Sequence, residues 1–106
     1  MITADFTIIP IVTEDTACNK YVTKAVQIIK DSRLNYKLTG MGTQIEAENY
    51  QILYDVISKV QEALFKTGTH RVYTILKIDD RRDRKNSSLN QKVESVNELL
   101  SKNNNQ

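Results

Sequence analysis

A chain of 106 residues, 40% hydrophobic and 26% charged, has room for one domain with a single core. A net charge of +2 is too small for a nucleic-acid footprint, which needs clustered surplus charge. No apolar run reaches the roughly 18 residues of a membrane span, and the lone cysteine, Cys18, excludes an internal disulfide or a cysteine-built metal site.

Residues 2–12 alternate at first, with Ile2, Ala4, Phe6 and Ile8 on one side and Thr3, Asp5 and Thr7 on the other. Period two predicts a strand with one buried face. Asp5, the missing basic n-region and the missing small-residue cleavage site argue against a signal peptide, so a cytoplasmic protein is expected. Pro10 cannot donate to a ladder, so the strand bulges, meets an edge or ends there. Thr13 or Thr16 is the expected cap of a helix over about 17–32. In it Cys18, Tyr21, Val22, Ala25, Ile28 and Ile29 recur at three- and four-residue spacing.

Residues 35–39 read as a second strand, with Tyr36 and Leu38 on one side. Gly40 and Gly42 flank Met41 at a turn, and residues 43–48 alternate as a third strand. Asn49 is an N-cap for a helix carrying Leu53, Val56, Ile57, Val60, Ala63 and Leu64, with Gly68 as its stop. Residues 71–78 are the fourth strand, and residues 79–85, DDRRDRK, a charged loop. Leu89, Val93, Val96 and Leu100 mark a short final helix.

The order β-α-β-β-α-β predicts an α+β, ferredoxin-like fold: a four-stranded antiparallel sheet with two helices on one face, plus the short C-terminal helix. One domain is expected over residues 1–100, followed by a polar, frayed tail at 101–106. The second face of the sheet is left open. It would expose Ile9, Ile11, and Tyr73 or Ile75 in a monomer, so a ligand, a partner subunit or both are expected there.

Three stretches carry a family resemblance. They are the N-terminal strand ending IIPIV, then NKYVTKAVQIIKDSRLNYKLTGMGTQIEAE, then EALFKTGTHRVYTILKIDDRRD. Over about residues 2–84 the chain resembles the small thiamine-binding proteins of the MTH1187/YkoF-like group, an uncharacterised family. It departs from the family pattern at Ala47, where glycine is common, and at Gly40, where proline is common. The resemblance implies a ferredoxin-like subunit, homo-oligomers (dimer or tetramer) formed by sheet pairing, and binding of thiamine or its hydroxymethylpyrimidine part without catalysis.

Under that resemblance the candidate ligand residues are Glu46, Thr43, Gly42, Thr7, Thr39 and Tyr36. Glu46 is a carboxylate that can accept from a ring amine or balance a thiazolium charge; the alternative is a solvated strand glutamate. Thr43 offers a hydroxyl or amide, or is there for β propensity. Gly42 allows close approach of a ligand, or serves turn geometry. Thr7 and Thr39 add hydroxyls to the open face, or are structural. Tyr36, Tyr73 and Phe6 stack on a heteroaromatic ring, or pack in the core or an interface. Tyr21, Tyr50 and Tyr54 fall on helices as packing residues. Arg81 and Arg82 in DDRRD hold a phosphate, pair across subunits, or are simply solvated. His70 has no paired carboxylate or nucleophile in the sequence, and Cys18 lies on an apolar stripe as a buried thiol.

No catalytic residues, metal ligands or resident cofactor are expected, since the sequence offers no nucleophile–base pair, metal cluster or phosphate loop. The expected function is non-enzymatic binding of a thiamine-related small molecule, without nucleic acid or membrane. The competing expectations are an enzyme of thiamine metabolism and a ligand-free regulatory or oligomerisation module.

Overall fold

The structure, a computed structural model, describes residues 1–11, 19–83 and 88–104. Its elements are β1 (Ile2–Pro10), α1 (Asn19–Asp31), β2 (Tyr36–Thr39), β3 (Gly42–Ala47), α2 (Tyr50–Lys66), β4 (Val72–Asp80) and α3 (Leu89–Asn104). The strands form one antiparallel sheet in the order β2-β3-β1-β4, as the ferredoxin-like reading requires. The expected caps Thr13 and Thr16, and Cys18, lie outside the described residues.

Register decides which side chains share a face. Ile2 stands opposite Ala47 and Asp80, Ala4 opposite Ile45 and Ile78, and Phe6 opposite Thr43 and Leu76. Cross-strand partners point the same way. Ile2, Ala4, Phe6, Ile45 and Ala47 therefore present one continuous apolar floor. Ala25 and Ile29 of α1 and Leu53, Val56, Ile57 and Val60 of α2 close over it. Burial of each large aliphatic side chain contributes about 1.5–3 kcal/mol relative to exposure.

Local chemistry fixes the ends. Asn49 accepts the Ile52 N–H at 2.9 Å with an extended backbone, which caps α2. After α2, Gly68 adopts φ +102°, a left-handed conformation that glycine takes without Cβ strain. Arg33, beyond the end of α1, adopts φ 64° although it carries a Cβ. Gly40 and Gly42 take no such conformation, so their turn does not depend on glycine dihedrals.

Two boundaries differ from expectation. β4 runs two residues further, through Asp79 and Asp80, because the start of β1 needs a partner: Ile2 pairs with Asp80 and Thr3 with Asp79. Charged side chains hid a stretch whose backbone is in the ladder. The final helix is sixteen residues long and reaches Asn104, taking in the described part of the expected tail. Its backbone is satisfied internally, so a polar end can remain helical without packing.

The face away from α1 and α2 is not wholly open. Ser88 caps α3, its hydroxyl accepting the Gln91 N–H at 3.1 Å and its carbonyl the Lys92 N–H at 3.2 Å. The first turn of α3 then rests on the end of the sheet that carries Thr3 and Glu46.

Candidate functional site

The second sheet face is built in rows across the strands. Nearest α3 are Glu46, Thr3 and Asp79. The next row is Lys37, Gln44, Asp5 and Lys77. Beyond it Thr39 pairs with Gly42 and Thr7 with Ile75, and last come Ile9 and Tyr73. Polarity falls steadily along the face, ending in the exposed side chains of Ile9, Tyr73 and Ile75.

Glu46 is buried, at 7% exposure. Its Oε1 accepts the Leu89 backbone N–H at 2.6 Å, and its Oε2 accepts from Asn35 Nδ2 at 3.0 Å. A carboxylate at a helix N-terminus is favoured by the unpaired amides and the dipole there. Lys92, one turn into α3, donates to Thr3 Oγ1 at 2.8 Å and also bonds the Asp79 carboxylate. These two clamps hold α3 to the sheet. Glu46 also borders a recess of about 380 Å³ with Arg33, Asn35, Glu48 and Ile52.

At the β2–β3 turn, Thr7 donates to the Met41 carbonyl at 3.1 Å and Thr39 to the Gly42 carbonyl at 2.8 Å. Both protons are committed, and Thr39 Oγ1 also accepts the Met41 N–H at 3.3 Å, so Thr7 keeps the freer acceptor oxygen. Gly42 is required for space: a Cβ there would sit 2.7 Å from Thr7 Oγ1, 2.8 Å from Asp5 Oδ1 and 3.1 Å from the Phe6 carbonyl oxygen. Thr7, Thr39, Gly42 and Thr43, four of the six candidates, line one cleft of about 190 Å³. Tyr36 is not among them. It pairs with Ile45 and packs against the core on the helix side, as Phe6 does more deeply. Tyr73 is the aromatic left on the open face, 52% exposed.

A second cleft of about 180 Å³ lies beside the first turn of α3, lined by Thr3, Ala4, Asp5, Gln44, Lys77, Ile78, Asp79 and Leu89. Of these polar groups, Thr3 and Asp5 were expected on the polar side of β1 and Asp79 in the charged run. Gln44, Lys77 and Asp79 come together through register, which the sequence does not print.

In the DDRRD segment both arginines pair with aspartates of the same segment, while Asp79 pairs with Lys92. Arg82 donates to Asp80 at 2.8 Å and Arg81 to Asp83 at 2.8 Å. Tyr50 donates to Asp80 Oδ2 at 2.9 Å. The Arg82 guanidinium, and then the Tyr50 hydroxyl, hold the Asp80 carboxyl below the usual carboxylate range, while Asp80 pushes the Tyr50 phenol up. Asp83 and Asp80 raise Arg81 and Arg82 in turn. Tyr21 is buried, as a packing residue should be, whereas Tyr54 stacks on Tyr50 with centroids 5.6 Å apart and is half exposed. His70 lies exposed before β4. Among the described residues no helix is long and apolar enough to cross a membrane.

Known proteins resemble this chain along nearly all of it. The model of a family described as "Thiamine-binding protein" matches residues 4–97. A "UPF0045 protein" of Methanothermobacter thermautotrophicus is 46% identical over 100 residues, covering 94% of this chain and 100% of the relative. The "UPF0045 protein YqgV" of Bacillus subtilis is 44% identical over 104 residues, covering 94% and 98%. The crystal structure of a hypothetical protein of Methanocaldococcus jannaschii superposes with a TM-score of 0.80 at 26% identity, covering 92% of this chain and 96% of that one.

Proposed function

We propose that this chain, which belongs to the family of thiamine-binding proteins, binds thiamine or a related hydroxymethylpyrimidine compound without transforming it. The observation that carries the reading is the cleft of Thr7, Thr39, Gly42 and Thr43 at the β2–β3 turn, at the edge of the sheet, in a chain of that family. Thr7 and Thr39 supply acceptor oxygens, and the missing side chain of Gly42 makes room for the Thr7 and Asp5 side chains beside the cleft. Glu46 acts on the open sheet face, at the end where it is shared with α3. Tyr36 supports the site from the core side.

Clefts of about 180 and 190 Å³ fall short of the roughly 300–1,000 Å³ of pockets that enclose a drug-sized ligand. A homo-oligomer, dimer or tetramer, completes the pocket by laying a second copy over Ile9, Tyr73 and Ile75, whose exposed side chains are costly to leave in water. The ligand is held in the cytoplasm, for storage, delivery or sensing.

A thermal-shift titration with thiamine, thiamine phosphates and hydroxymethylpyrimidine tests this. A ligand that binds the folded state alone stabilises it by about 2.7 kcal/mol at a hundredfold excess over its Kd. A rising midpoint supports the proposal. No shift and no calorimetric heat at millimolar ligand overturns it and leaves a ligand-free oligomerisation module. Product formed from a thiamine precursor would instead favour an enzyme of thiamine metabolism.

A further inference from the structure

Asp5 is the one carboxylate on the open face, among the described residues, whose oxygens receive no close donor. Asp79 bonds Lys92, and Glu46 accepts from Leu89 and Asn35. Asp5 Oδ1 is shut off from solvent and accepts no hydrogen bond. Oδ2 has only Lys77 Nζ at 3.9 Å, on a side chain 77% exposed. So loose and exposed a pair holds the carboxylate only weakly. Oδ1 is turned toward Gly42, while Oδ2, on a side chain 35% exposed, is left to accept from a ligand.

The surroundings say what that ligand presents. Asp5 and Gln44 are cross-strand partners on the same face and line the same cleft. A carboxylate only accepts, whereas an amide both donates and accepts. Side by side they match a heterocycle edge that presents an exocyclic amine next to a ring nitrogen. Asp accepts from the amine and the Gln amide donates to the nitrogen, the same logic by which acidic residues and amides read amino-bearing base edges. At about 180 Å³ the cleft admits one substituted six-membered ring. The aspartate end-torsion is broad, so either oxygen can be turned toward the ring.

We propose that Asp5 and Gln44 form the subsite that recognises the aminopyrimidine edge of the ligand, with the bare Cα of Gly42 keeping room for the Asp5 carboxylate. This rests on the thiamine-binding reading above and adds which groups of the chain read the pyrimidine edge. Gly42 thereby serves the subsite as well as the turn, because any side chain there collides with the carboxylate that does the reading.

Calorimetry on the full chain, with thiamine and with its 4-oxo analogue, tests the subsite. The analogue replaces the amine by a carbonyl and carries its proton on the ring nitrogen, which inverts the donor–acceptor order. The wild type should bind thiamine at least tenfold more tightly than the analogue. Asp5→Asn should weaken thiamine binding at least tenfold and shrink that preference. It should also keep or raise the unliganded melting midpoint, because an unpaired carboxylate is removed. Gln44→Ala guards against a variant that fails to fold, and should show the same loss of preference. If the wild type binds both compounds equally, or both variants bind thiamine as the wild type does, the subsite is overturned while the thiamine-binding reading stands. If the wild type binds neither compound nor hydroxymethylpyrimidine, both readings fall.

Discussion

The Glu46 carboxylate accepts the backbone N–H of Leu89 at 2.6 Å, joining the third strand to the first residue of the last helix. Glu46 is thus neither a solvated strand residue nor free to serve a ligand alone. Charged hydrogen bonds of this kind contribute about 1.5–3 kcal/mol. Glu46→Ala should lower stability by that amount in denaturant titration and speed hydrogen exchange at the Leu89 amide. An unchanged midpoint with unchanged exchange would mean that the clamp does not hold α3.

Gly42 is there for space. Gly42→Ala brings a Cβ to 2.7 Å from Thr7 Oγ1 and 3.1 Å from the Phe6 carbonyl oxygen, and the backbone oxygen is the less able to move. Overpacking of this kind costs about 1–3 kcal/mol. The melting midpoint should fall, and thiamine should no longer raise it. A variant as stable and responsive as the wild type would show that the Thr7 and Asp5 side chains swing aside freely.

Asp80 makes part of the acid sensitivity. Its folded value lies below its unfolded value, so its contribution is present above the unfolded value of about 4 and is lost as pH falls through the folded one. Asp80→Asn should flatten the acid limb of the stability curve below about pH 4 and leave its neutral region little altered in slope. An acid limb of the same steepness would remove Asp80 from that role.

Arg33 holds a left-handed conformation with a Cβ in place, at a cost of about 1–2 kcal/mol. Arg33→Gly should therefore raise the melting midpoint by about 4–8 °C per kcal/mol recovered. A lower midpoint would mean that the arginine side chain contributes more than the conformation costs.

Light scattering at micromolar protein should give twice or four times the monomer mass. Tyr73→Lys combined with Ile75→Glu should reduce it, since both side chains lie on the exposed end of the sheet. A monomer mass for the wild type would refute the oligomer.

Period-two and period-3.6 patterns made the fold legible, because strands and helices with one buried face must repeat that way. Asn49 and Gly68 marked the ends of α2 for equally local reasons. The site was less legible. Thr7, Thr39, Gly42 and Thr43 line one cleft, but Tyr36 turns toward the core, since its partner Ile45 does. Asp5 and Gln44 meet only through register, and Glu46 meets Leu89 only because α3 folds back over the sheet. Neither event leaves a periodic trace. DDRRD looked like a loop because its charges outweighed the backbone pairing of Asp79 and Asp80.

The strand order also sets the timing of folding. β1 is central and bonds both β3 and β4, and its pairing with β4 joins Ile2 to Asp80. During synthesis the first strand emerges early and waits for the last one. Until β4 arrives, one full edge of β1 stays unpaired. Long-range pairing of this kind slows folding, and an unpaired edge is a template for pairing with another chain until the native partner takes it.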